Sequence, residues 1–217
     1  MPADPDTSRS QRSLDKGRVE GLSDGVFAFA ATLLVVNIAL RPPGTPLHQL
    51  LNAWPAYLAY LVSFLTIGGA WLAHTALTDR LARVDHLFLR LNLLVLLVVV
   101  FLFFPTELVA ENLHSTSGER VYVTLYGLTL LVIRLLGSAL DAYARHEQLY
   151  SPAKEGEELQ GTQRKLLPAV IGYVVAILIG LAVPVAAVAL YFGLAVYLVV
   201  PFREVARVLR RRRSSRQ

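Results

Sequence analysis

Arg18, Glu20, Ser23 and Asp24 stand within two helical turns of one another and lead into the apolar run "RVEGLSDGVFAFAATLLVVNIAL", whose only further polar side chains are Thr32 and Asn37. A carboxylate at the head of such a run can do two kinds of chemistry. It can cap free amides and complement the helix dipole. It can also anchor a buried hydrogen-bond network, since an acid at membrane depth is costly unless partnered. Neither use makes Asp24 a catalytic group.

The partners for such a network stand in two later segments. "GGAWLAHTALTDR" carries Trp71 and His74, and "RLNLL" carries Arg90 and Asn92. His74 has no second His, Asp or Glu at ligand spacing beside it, so a hydrogen-bonded structural histidine is expected rather than a metal ligand. Arg134, in "LLVIRLLG", needs water, a carbonyl, an acid or a route to a headgroup. The chain has no cysteine, which excludes disulfides, thiolate metal sites and cysteine nucleophiles. With no metal-ligand cluster and no G-x-S-x-G, the expectation is no enzyme and no cofactor.

The elements that must position these residues follow from composition. The chain has 217 residues, 54% hydrophobic and 17% charged, with a mean hydropathy of +0.49, the profile of an all-α integral membrane protein. A hydrocarbon core of about 30 Å takes roughly 20 helical residues. Runs of that kind predict six spans, at about 19–40, 51–77, 87–111, 121–147, 165–183 and 185–203. Residues 166–202 contain no charge and as one helix would measure about 55 Å. They must fold back, and Pro184 is the expected turn.

Six spans place the basic residues on one side. Arg41 and Arg120 fall outside and Arg134 within a span, while the other 18 of 21 lie in the N-terminus, the loops near 78–90 and 141–165, and the C-terminus. The positive-inside rule then makes both termini cytoplasmic. The polar start lacks the features of a cleaved signal peptide, so the first span is retained. The organisation is a polar tail at 1–17, a membrane domain at 18–203 and a basic tail at 204–217, in a multi-pass protein of the plasma membrane. The arginine-rich end suits anionic lipid headgroups better than nucleic acid.

In this topology Arg18, Ser23, Asp24, Trp71, His74 and Asn92 share one depth layer near the cytoplasmic face and are expected to form a structural polar network. On a wheel of about 100° per residue, Phe29, Thr32 and Val36 fall on one stripe, and Asp24 lies about 140° from Phe29. The polar set therefore faces the chain's own spans. The Phe29 stripe faces another neighbour.

These residues resemble the transmembrane-protein-175 type potassium channels. The signature Arg-x-x-x-Phe-Ser-Asp is matched by Arg18 to Asp24 except at Leu22, and "GVFAFAATLLVVNI", "WLAH" and "RLNLLVLLVVVFLFFPTEL" are similar to the corresponding family runs. The resemblance covers roughly Arg18 to Pro105 strongly and the rest by layout. It implies a homotetramer of six-helix subunits with no re-entrant pore loop, span one lining a central pore, and potassium as the permeant ion. The narrow layers would be Phe29, Thr32 and Val36. Family members usually carry Leu or Ile where Phe29 stands and often Leu where Val36 stands, so four phenylalanines would make a bulkier hydrophobic plug, one that gates by dewetting. With no acidic ring on the stripe, modest cation selectivity by size and dehydration is expected.

Three other readings stay open on the residues alone. Phe29, Thr32 and Val36 also suit ordinary helix packing, with the threonine bonded back to its own helix. A secondary transporter would use broken helices with midplane polar groups, hinted at by Gly68, Gly69 and Pro105. A structural membrane protein that conducts nothing is the third.

Overall fold

The computed structural model describes residues 16–38, 45–113, 118–152 and 159–200. Eight α-helices occur among them: α1 (Lys16–Leu33), α2 (Pro46–Asn52), α3 (Trp54–Thr78), α4 (His86–Phe101), α5 (Phe103–Asn112), α6 (Glu119–His146), α7 (Leu159–Gly180) and α8 (Pro184–Val199). No strand is formed among the described residues. One isolated antiparallel bridge pairs Leu81 with Tyr150. Most of the polar N-terminal tail and all of the basic tail at 204–217 lie outside the described residues.

Four segments are long and apolar enough to cross a membrane: Lys16–Val36, Trp54–Thr78, His86–Asn112 and Glu119–His146. Two shorter apolar helices follow, Leu166–Gly180 and Pro184–Val199. Three departures from the expected boundaries stand out. The first helix tightens to a 3₁₀ turn at Leu34–Asn37 instead of running regularly to residue 40. The third segment divides at Leu102, where Pro105 offers no amide to the carbonyl of Phe101. There the hydroxyl of Thr106 donates to the Leu102 carbonyl at 2.6 Å. Finally, Pro184 is not the turn itself. Leu181 and Ala182 make the turn, the amide of Val183 closes on Ile179 O at 2.7 Å, and Pro184 opens α8 at a first-turn position that needs no N–H donor.

Other helix ends are set by their side chains. Asp85 caps α4 by accepting from the Phe88 amide at 2.7 Å, and its second oxygen accepts from the Tyr143 hydroxyl at 2.7 Å. That residue thus serves both as a cap and as a bond between helices. Gly118 precedes α6 with φ of 97°, a conformation that glycine adopts without steric cost.

Helix α3 is the hub, packed against α1, α5, α6 and α8, while α6 joins α4, α5, α7 and α8. Between them lie the fully buried rings of Tyr126, Tyr173 and Tyr191, with Tyr126 and Tyr191 edge to face at 5.8 Å between centroids. Tyr191 fits because Gly127 has no side chain; a Cβ there would overlap the tyrosine hydroxyl. A hydroxyl cluster completes this core. Ser63 lies 2.8 Å from both the Thr106 hydroxyl and the Tyr126 hydroxyl, so α3, α5 and α6 are joined where lipid offers no alternative partner.

Candidate functional site: the outer face of the first helix and its polar anchors

Helix α1 is packed on one side only, against α3 and α4, with the following 3₁₀ turn reaching α3 and α5. Its buried residues are Val19, Ser23, Phe27 and Ala30, continued by Leu34. Their steps of four, four, three and four trace a single helical face. Four of the five are apolar, and Ser23 is the one polar residue among them.

The opposite side is open. Phe29 is 58% exposed and Val36 65% exposed, and Thr32 is exposed between them. The Thr32 hydroxyl donates to the carbonyl of Phe29 at 2.9 Å. Its hydrogen is thereby turned inward along the helix, and its lone pairs are left facing out. Two further residues extend the exposed stripe, Leu22 and Gly25. Their signal in the sequence was the seven-residue step from Leu22 to Phe29 and the four-residue step from Gly25 to Phe29, both returning to nearly the same direction on a helix. The tightened turn leaves Val35 exposed beside Val36, which a regular helix would not do as fully, because 3₁₀ winding rotates each residue further.

The polar residues divide into two pairs and two singles. The Trp71 indole Nε1 donates to Asp24 Oδ1 at 2.8 Å. On the adjacent residue, which is turned into the packed face, Asn92 Nδ2 donates to Ser23 Oγ at 3.0 Å, with both residues buried. Thus α1 is bonded to α3 through one residue and to α4 through the preceding one. Arg18 is exposed and is not brought to either pair. His74 is buried but differs from the hydrogen-bonded histidine expected: its ring lies against Phe27 at 5.5 Å between centroids, and its Nε2 has no hydrogen-bond partner. The physical reason is the face each residue occupies: Asp24 and Trp71 both stand on the exposed side, whereas His74 and Phe27 are both turned into the packed side.

A second polar centre, absent from the expectations, lies where the α3–α4 connection meets the end of α6. Asp141 is buried and accepts from Arg80 at 3.3 Å, from Arg145, and from the Tyr150 hydroxyl at 2.5 Å. The Arg80 guanidinium also lies over the Tyr150 ring, 4.9 Å from its centroid. Backbone bonds tie the same strands of chain together, from Ala82 N to Leu149 O at 2.8 Å and from Ser151 N to Arg80 O at 2.9 Å. Burial and the adjacent Asp141 push the Tyr150 hydroxyl well above its ordinary value, so it stays a protonated donor. Only the Asp141 to Arg145 spacing, one helical turn, was visible in the sequence.

No group of three His, Cys, Asp or Glu able to hold a metal occurs among the described residues. An all-helical chain with four membrane-length apolar helices, two shorter ones, and polar pairs bonding helix to helix is a multi-pass membrane protein. Residues 18–102 match the profile described as endosomal/lysosomal potassium channel TMEM175. A potassium channel of Streptomyces collinus is 37% identical over 163 residues, covering 73% of this chain and 79% of the relative. A potassium channel of Chamaesiphon minutus is 39% identical over 140 residues, covering 60% of this chain and 66% of the relative. The crystal structure of a lysosomal potassium-selective channel TMEM175 homolog from Chamaesiphon minutus superposes with a TM-score of 0.72 at 33% identity, over 84% of this chain and 95% of that one. The chain belongs to the TMEM175 family.

Proposed function

We propose that this protein is a potassium-permeable channel, assembled as a homotetramer of six-span subunits with α1 lining a central pore. Ions pass passively through layers formed by Phe29, Thr32 and Val36, one residue of each from every subunit. The observation that carries this reading is the one-sided packing of α1: its buried face is complete within the subunit, and the stripe left over contains these three residues. Family membership and the relatives named potassium channels support it.

Within that assembly each residue has a physical role. Phe29 supplies an apolar ring that excludes water unless the pore widens. Thr32 supplies four oxygens with outward lone pairs, able to replace part of an ion's hydration shell. Val36 closes the stripe near the far end of the helix. The pairs Asp24 with Trp71 and Ser23 with Asn92 hold α1 at a set rotation, which fixes what the pore sees. Both termini are cytoplasmic in the plasma membrane, the basic tail rests on anionic headgroups, and potassium is the permeant species, with no cofactor required.

The test is potassium flux in liposomes from purified protein whose stoichiometry has been measured by crosslinking. Wild type should pass potassium, and Phe29→Ala and Thr32→Ala should each change the rate several-fold. A well-assembled tetramer with no flux, or with flux indifferent to both substitutions, rejects the proposal.

A further inference from the structure

Helix α2 is seven residues long, and none of them is buried. Its apolar side chains are Leu47, Leu50 and Leu51, exposed at 67, 45 and 67%, and beyond Ala53 comes Trp54 at 37%. Their order, at i, i+3, i+4 and i+7, is that of one apolar stripe. His48, Gln49 and Asn52 take the remaining directions, with the His48 ring and the Asn52 amide 2.9 Å apart. No residue of α2 is charged. The Thr45 side chain accepts from the His48 amide at 3.4 Å, and Pro46 fills the first helical position, so the short helix has a defined beginning.

Two observations say what covers the stripe. Helix α2 ends one residue before α3, which is long and apolar enough to cross a membrane, so α2 stands at the level where the bilayer begins. The stripe also runs on along α3: at 100° per residue Leu61 and Leu72 point within about 20° of Trp54, and both are exposed. Exposed apolar side chains therefore stand on the crossing helix as well as on α2. Leucine on one side, uncharged polar groups on the other and an amphipathic tryptophan at the junction suit the boundary between lipid and water.

We propose that α2 lies in the boundary between headgroups and acyl chains, with Leu47, Leu50, Leu51 and Trp54 immersed in phospholipid. The polar face carries no cation, so the helix takes zwitterionic and anionic lipid alike. It anchors the connection between α1 and α3 at the membrane surface. The inference rests on α3 crossing the bilayer and not on potassium conduction, and flux measured in the same vesicles reports on the latter separately.

The natural chain has no cysteine, so single cysteines at positions 47 to 52 can be spin-labelled in phosphatidylcholine vesicles without altering the background. Labels on Leu47→Cys, Leu50→Cys and Leu51→Cys should relax faster with oxygen than with a water-soluble nickel chelate, and labels on His48→Cys and Gln49→Cys should show the reverse. Nickel access at every position overturns the proposal, because the helix would then stand in water. Low access to both reagents with dipolar broadening that vanishes on dilution with unlabelled protein also overturns it, because another subunit would cover the stripe. A label-free check compares wild type with Trp54→Phe, so that the difference in emission reports Trp54 apart from Trp71. Brominated phosphatidylcholine should quench Trp54 at least twofold and aqueous iodide should not; the opposite pattern overturns the proposal.

Discussion

The indole of Trp71 donates to the carboxylate of Asp24 at 2.8 Å across 47 positions of sequence. With Ser23 bonded to Asn92 beside it, this contact sets the rotation of α1 against α3 and α4. Rotation decides which side chains remain on the open face. Trp71→Phe keeps an aromatic side chain but removes the donor together with part of the ring's bulk. It should lower the melting temperature by a few degrees, consistent with a bond worth about 1–2 kcal/mol, and should weaken assembly more than it alters ion preference. Thermal melts followed by size-exclusion chromatography check the first effect. Unchanged assembly with collapsed selectivity would show that Asp24 acts on the ion instead.

Phe29→Leu reduces the bulk of the exposed layer without making it polar. Under the channel proposal, flux through the variant should rise several-fold while the melting temperature stays within a degree or two, because Phe29 is 58% exposed and supports little of the subunit core. Parallel liposome flux and thermal melts separate the two. A large loss of stability would mean that the ring packs against something in the assembled protein.

Gly127→Ala should be among the most damaging single-methyl additions. The new Cβ would overlap the hydroxyl and ring of Tyr191, which is itself fully buried. Overpacking of that kind costs about 1–3 kcal/mol or more. Tyr191→Phe in the same background should restore part of the loss, since it removes the atom nearest the new methyl. Melting temperatures of the two variants and their combination are the measurement.

Asp141→Asn should loosen the connection between α3 and α4. The substitution leaves Arg80 and Arg145 without the carboxylate they share, and all three side chains are largely buried. Breaking a buried ion pair in this way costs about 3–5 kcal/mol. Hydrogen exchange at Ala82 and Ser151, whose amides bond across the same junction, should accelerate strongly. Protection equal to wild type would mean that the backbone bonds alone hold the junction.

Much of this protein follows from sequence because lipid imposes simple requirements on it. Runs of apolar residues near 20 long must be helices, since no other open structure satisfies the backbone in hydrocarbon. The burial of Val19, Ser23, Phe27 and Ala30 and the exposure of Phe29, Thr32 and Val36 follow from helical periodicity. The match of Arg18 to Asp24 marked the family.

Only the tertiary structure decided which polar groups meet. Asp24 pairs with Trp71 and not with His74, because packing leaves Trp71 on the same exposed side as the carboxylate and turns His74 inward against Phe27. Asp141 gathers Arg80 and Tyr150 from either side of a connection whose path no periodicity describes. The 3₁₀ turn at Leu34–Asn37, packed against α3 and α5, is likewise marked by no residue of the sequence. Local pattern determines which face of a helix is apolar; the height and rotation of one helix against another are summed over many small contacts, and only the folded chain carries out that sum.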